Sequence, residues 1–172
     1  MKMRKKFLLL LAVLILLLPV TALADVVISE VMASNGMYEN EKSYDWVELY
    51  NDGKKTVDLS GWFLSDGKKN LQKFCFPSGT KLKAGAYLTV YCTGEDGIAP
   101  GKGSTFYAPF SLSAEGETLY LSDGEVQLVQ KLEFPRQYGN VSYGLPVGGE
   151  VYGYFENATR GKKNEKTAYA AR

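Results

Sequence analysis

Beyond residue 24 the apolar residues of this chain never sustain a helical period; short β-rich runs recur instead, each closed by Gly, Asn, Asp or Pro. A chain patterned in this way cannot build a core from helices and must stack sheets face to face or close one sheet on itself. Candidate strands are VVISEVM (26–32), DWVELYN (45–51), TVDL (56–59), WFLSD (62–66), KFCFP (73–77), AYLTVYC (86–92), ETLYLSD (117–123), VQLVQKLEF (126–134), NVSYGL (140–145) and VYGYF (151–155). Asp52-Gly53 and Ser122-Asp123-Gly124 supply turns, an acid that hydrogen-bonds its own backbone followed by a glycine free to take positive φ. TGEDGIAPGKGS (93–104) reads as a long exposed loop. The expected fold class is all-β, a sandwich or barrel.

Alternation within DWVELYN sorts its side chains between two faces. Val47 and Leu49 form the natural core pair, which leaves Trp46, Glu48 and Tyr50 on the outer face. Asp45 shares the core parity but stands at the strand entrance, where a short acid accepts hydrogen bonds from turn amides. Trp62, in GWFLSD, is placed to plug one end of the core.

Ahead of this domain, Lys2, Arg4, Lys5 and Lys6 precede an uncharged run from Phe7 to Val20, followed by Thr21-Ala22-Leu23-Ala24. That is the layout of an export signal, and cleavage is expected before Asp25. The run of 14 residues falls short of the roughly 20 that span a bilayer core, so no stable membrane insertion is expected after cleavage. The chain then divides into a signal peptide (1–24), a β domain (25–164) and a tail (165–172) with no partner pattern, expected to fray. Loss of residues 1–24 leaves 16 basic against 19 acidic residues, a net charge of −3. Such a balance lacks the basic excess that binds phosphate backbones, which argues against nucleic acid as a partner. Cys75 and Cys92 take opposite parities on their strands, so two thiols are expected rather than a bridge.

The chain contains no histidine, which excludes Ser-His-Asp and Cys-His nucleophile systems and histidine-ligated zinc. Acid-bearing turns such as SDGKKN lack the spaced ligand series of a calcium loop, and no glycine run has the spacing of a phosphate-binding loop. No cofactor and no metal are expected. One enzymatic hypothesis survives: Glu30 of ISEVM and Glu48, if their strands are neighbours, would face each other as an acid pair of the kind glycoside hydrolases use. Against it stands a binding hypothesis, in which Trp46, Glu48 and Tyr50 contact a partner, a protein or a surface polysaccharide whose sugar rings stack on the outer aromatics.

The order of the pieces VVISEVMASN, DWVELYNDGKKTVDLSGWFLSD, FCFPSGTKLKAGAYLTVYC, FSLSAEGETLYLSDGEVQLV and ATRGKKN resembles the lamin-tail domain in its bacterial secreted form, over about residues 25–164. The resemblance implies an immunoglobulin-like β-sandwich without enzymatic activity, used for adhesion or interaction on exported proteins at the cell surface. It assigns fold-signature roles to Glu30, Asp45, Trp46, Glu48, Leu49, Asn51, Leu59, Gly61, Trp62 and Asp66. ISEVMASNG is similar to the start of secreted spore-coat kinase-type proteins, so the chain is expected to be either a free-standing module or a relative detached from such an enzyme. TRGKKN, Thr159 to Asn164, departs from the family's Pro-containing TPG..N, which puts the closing turn in question.

Overall fold

The computed structural model describes residues 25–37, 42–166 and 168–170; the expected export signal lies outside them. The described residues contain strands and no helix: β1 Val26–Met32, β2 Asp45–Asn51, β3 Val57–Asp58, β4 Phe63–Ser65, β5 Phe74–Cys75, β6 Lys81–Leu82, β7 Tyr87–Cys92, β8 Gly101–Lys102, β9 Thr105–Ala108, β10 Glu117–Ser122, β11 Leu128–Phe134, β12 Ser142–Gly144 and β13 Gly153–Phe155. β1 and β2 have the predicted bounds, whereas β6, β8 and β9 have no counterpart among the predicted strands. Gly101–Lys102 thus turns the end of the expected 93–104 loop into a strand, paired with β9.

A large sheet runs in the order β13-β12-β1-β2-β7-β9-β8, and a smaller one in the order β11-β10-β4-β5. β9 lies parallel to β7, which no local turn signal could announce. Between the sheets Val47 and Leu49 are fully buried, with Leu88, Val90 and Phe106 beside them and Leu64, Leu119, Leu121 and Phe134 opposite. Burial of each such side chain contributes roughly 1.5–3 kcal/mol. This is an all-β, immunoglobulin-like sandwich. Trp62 packs against the core from one side, half-buried. Cys75 is exposed and Cys92 buried, and both are free thiols.

β1 carries a bulge that sets up the site. Its register on β2 passes from Ile28↔Leu49 directly to Glu30↔Glu48, so Ser29 is the extra residue. Val26 and Ile28 face the core before it, Val31 and Ala33 after it. Without the bulge Glu30 would keep the parity of Ile28 and enter the core; with it, Glu30 joins Glu48 on the outer face.

Where β1 has not yet met β12, side chains close its edge. Ile28 N–H donates to Gln130 Oε1 at 2.7 Å, Tyr152 Oη donates to the Ile28 carbonyl at 2.6 Å, and Gln130 Nε2 donates to Tyr152 Oη at 2.9 Å. The tail, expected to have no partner, has one: Tyr169 and Tyr154 exchange backbone hydrogen bonds of 2.8 and 2.9 Å. Gly153 makes room for it, because a Cβ there would lie 2.7 Å from that of Ala168.

Candidate functional site

The outer face of the large sheet is covered where Glu30 and Glu48 lie. Residues 159–164, the closing turn, cross it as a strap, and Glu30 and Glu48 lie beneath with no exposed surface. This corrects the expectation that Glu48 is an exposed acid. Strand parity is as predicted, but a segment more than a hundred residues away in the chain covers the face.

Both carboxylates are satisfied by protein donors. Glu30 accepts from Ser142 Oγ at 2.5 Å, from Thr159 N–H at 3.0 Å and from Thr159 Oγ1 at 2.8 Å. Glu48 accepts from Ser29 Oγ at 2.9 Å and from Gly161 N–H. The bulge residue therefore supplies one of the donors. Burial pushes the Glu48 carboxyl up to about 7; Glu30 adds to the rise, while the bonds from Gly161 and Ser29 and the Arg160 charge oppose it. Glu30 is also raised, chiefly by burial, against the bonds from Ser142 and Thr159. These directions follow from desolvation outweighing the donors.

The strap is itself tied down. Thr159 Oγ1 also lies 2.9 Å from Asn164 Oδ1, so its one proton is shared between that oxygen and Glu30, and Asn164 Nδ2 donates to the carbonyls of Ser29 and Leu145 at 3.0 and 2.9 Å. Gly144 admits that amide, since a Cβ there would sit 2.7 Å from the Ser29 carbonyl oxygen. Lys162 N–H donates to the Thr159 carbonyl at 2.8 Å, closing the turn, with Gly161 at φ 75°. The departure from the family pattern leaves this turn intact. At the departing position, the Arg160 guanidinium lies 5.8 Å from the Trp46 ring centroid and 5.2 Å from that of Tyr91, within cation–π range.

Of the three residues expected to meet a partner, Trp46 is only 1% exposed and Glu48 is fully buried. Neither presents a surface, which corrects that expectation for both. Tyr50 remains half-buried and stacks on Tyr87, centroids 4.6 Å apart at 22°. Both rings line a groove of about 270 Å³ between the strap, the start of β1 and the loop that follows β12. Burial, aided by Tyr50 and Glu48, pushes the Tyr87 hydroxyl up to about 12, so it stays protonated and able to donate.

The remaining signature positions serve the frame. Asp45 accepts from Asn35 N–H at 2.9 Å, the turn-amide role expected of it. Asn51 is fully buried with its amide in use: Nδ2 donates to the carbonyls of Lys55 and Leu82, both at 2.8 Å, and Oδ1 accepts from Gly53 at 2.9 Å. Leu49 and Leu59 are in the core, Gly61 takes φ 75°, and Asp66 pairs with Lys73 at 2.6 Å. Strand alternation does not reveal Ser29, Ser142, Thr159 and Gly161 as partners of the acids, nor Asn164 as the anchor of the strap. Three of them lie in ATRGKKN, where a glycine between hydrogen-bonding side chains was the available signal.

Glu30 and Glu48 thus come together as the hydrolase hypothesis requires, on directly opposed positions of neighbouring strands. What they meet is the protein's own hydroxyls and amides, and neither carboxyl group has surface open to solvent. No curated protein matches the chain. A family model described as Lamin Tail Domain matches residues 19–135, which takes in every strand from β1 to β11 and stops short of the strap. Together with the sandwich that those strands build, the match places the chain in the lamin tail domain family.

Proposed function

We propose that this protein is an exported, non-catalytic interaction module that engages a protein or a surface polysaccharide at or outside the cell surface. Lamin tail domains are immunoglobulin-like and often mediate interactions, which supports the reading. The observation that carries it is the sealing of Glu30 and Glu48: the acid pair best placed for hydrolysis spends its oxygens on holding the strap. A general acid needs a path to the leaving group, and none reaches these two. Surface contact falls instead to groups that the fold leaves free, such as the groove beside Tyr50.

Immobilised protein incubated with cell-surface extract tests this, run beside a panel of glycoside and peptide substrates. Capture without turnover is the expected result. Turnover of any substrate that Glu48→Gln abolishes would overturn the reading.

A further inference from the structure

The groove beside Tyr50 combines an aromatic wall with polar groups that the protein does not use. Tyr50 and Tyr87 form the wall, Val27 and Ser29 lie at the start of β1, and Pro146 and Val147 stand across from them. Asp52 enters from the turn after β2 and Lys163 from the strap. The hydroxyls of Tyr50 and Tyr87, the Asp52 carboxylate and the Lys163 ammonium make no hydrogen bond or ion pair with a described residue. Uncommitted donors and acceptors converging on an apolar wall are the mark of a ligand site.

We infer that this groove binds a neutral hexose unit of a glycan chain, stacked against the Tyr50–Tyr87 wall with its hydroxyls reaching Asp52 and Lys163. The inference rests on the non-catalytic reading above and names the ligand class.

Three features select that class. A pyranose ring has an apolar C–H face and a rim of hydroxyls that both donate and accept, and the groove offers a ring wall, an acceptor and a donor. Its charges are of opposite sign, so a strongly charged polymer would be repelled by one of them. Finally, an extended peptide would seek backbone partners on β1, but the Ser29 carbonyl already accepts from Asn164 Nδ2 and from Leu145 N–H, at 3.0 and 2.9 Å. At about 270 Å³ the space falls below the roughly 300 Å³ of the smallest drug-sized pockets, which suits one ring of a longer chain.

The test is a glycan array, followed by calorimetric titration with cellohexaose and the N-acetylglucosamine hexamer. Binding of at least one neutral oligosaccharide is expected. Tyr87→Ala should weaken it about tenfold through the lost stacking surface. Asp52→Ala and Lys163→Ala should each weaken it about three- to tenfold. Both are exposed positions whose removal leaves the fold intact, so they decide the matter if Tyr87→Ala unfolds. Tyr107→Ala, which alters an aromatic of the same sheet outside the groove, should change nothing. Absence of binding to every neutral glycan, or binding indifferent to Asp52→Ala and Lys163→Ala, would overturn the inference. If a proline-rich peptide binds in the groove instead, the sugar assignment falls. Capture of a surface protein with no glycan bound would remove the groove assignment and leave the interaction module standing; a glycan bound and then cleaved would do the reverse.

Discussion

A carboxylate taken out of water costs several kcal/mol unless donors replace its hydration, and two placed side by side also repel. Glu30 and Glu48 meet the first condition through Ser29, Ser142, Thr159 and Gly161. Burial above all, with the Glu30 charge adding to it, shows in the pKa of Glu48. Its folded value of about 7 lies above the ordinary 4.5, so the folded state holds a proton that the unfolded chain has already released. The resulting stability is fully present below about pH 4.5 and is lost as pH rises to 7, a fall on the order of 3 kcal/mol. Glu30, Asp45 and Glu117, all raised chiefly by burial, act in the same direction. Urea denaturation at pH 5 and pH 8 should show the lower stability at pH 8, and Glu48→Gln should flatten the difference. Asn51→Ala tests the other buried polar anchor: with Lys55 and Leu82 carbonyls and the Gly53 amide left unmet, it should cost roughly 3 kcal/mol.

Among the elements, the strap and the β1 edge depend on single side chains. Thr159→Ala removes bonds to both Glu30 and Asn164 and should lower stability by about 1–2 kcal/mol. Hydrogen exchange at Gly161 should quicken along with it, while amides of β10 and β11 stay protected. Tyr152→Phe leaves the Ile28 carbonyl without its donor and should cost about 1 kcal/mol in the same assay. The sequence announced some of these elements better than others. DWVELYN alternates cleanly, so β2 and its core pair were legible. VVISEVM has the right ends, but nothing in its composition marks Ser29 as the extra residue that turns Glu30 outward. TFYA also alternates, with Phe106 and Ala108 buried, yet it adjoins a glycine-rich loop, and its parallel pairing with β7 depends on strands distant in the chain.

Across the whole molecule, fold and site differ in what local pattern could reveal. The sandwich follows from where Val47, Leu49, Leu119 and Leu121 must go to leave water, a property each strand states for itself. The sealing of the outer face does not, because the strap lies more than a hundred residues from the acids it covers, and Trp46 and Glu48 read as exposed until it is in place. The thiols illustrate the legible half: alternation put Cys75 outside and Cys92 inside, and burial pushes the Cys92 thiol well up. A maleimide should therefore label one thiol per folded chain and two in denaturant, as mass spectrometry would show. The most direct test of the central claim is a carboxyl carbon-13 NMR titration of Glu48, followed together with the Gly161 amide proton. A midpoint near 7 shared by both signals is the predicted result. A midpoint near 4.5, with the Gly161 amide indifferent to it, would mean that Glu48 is solvated and that the strap does not seal the acid pair.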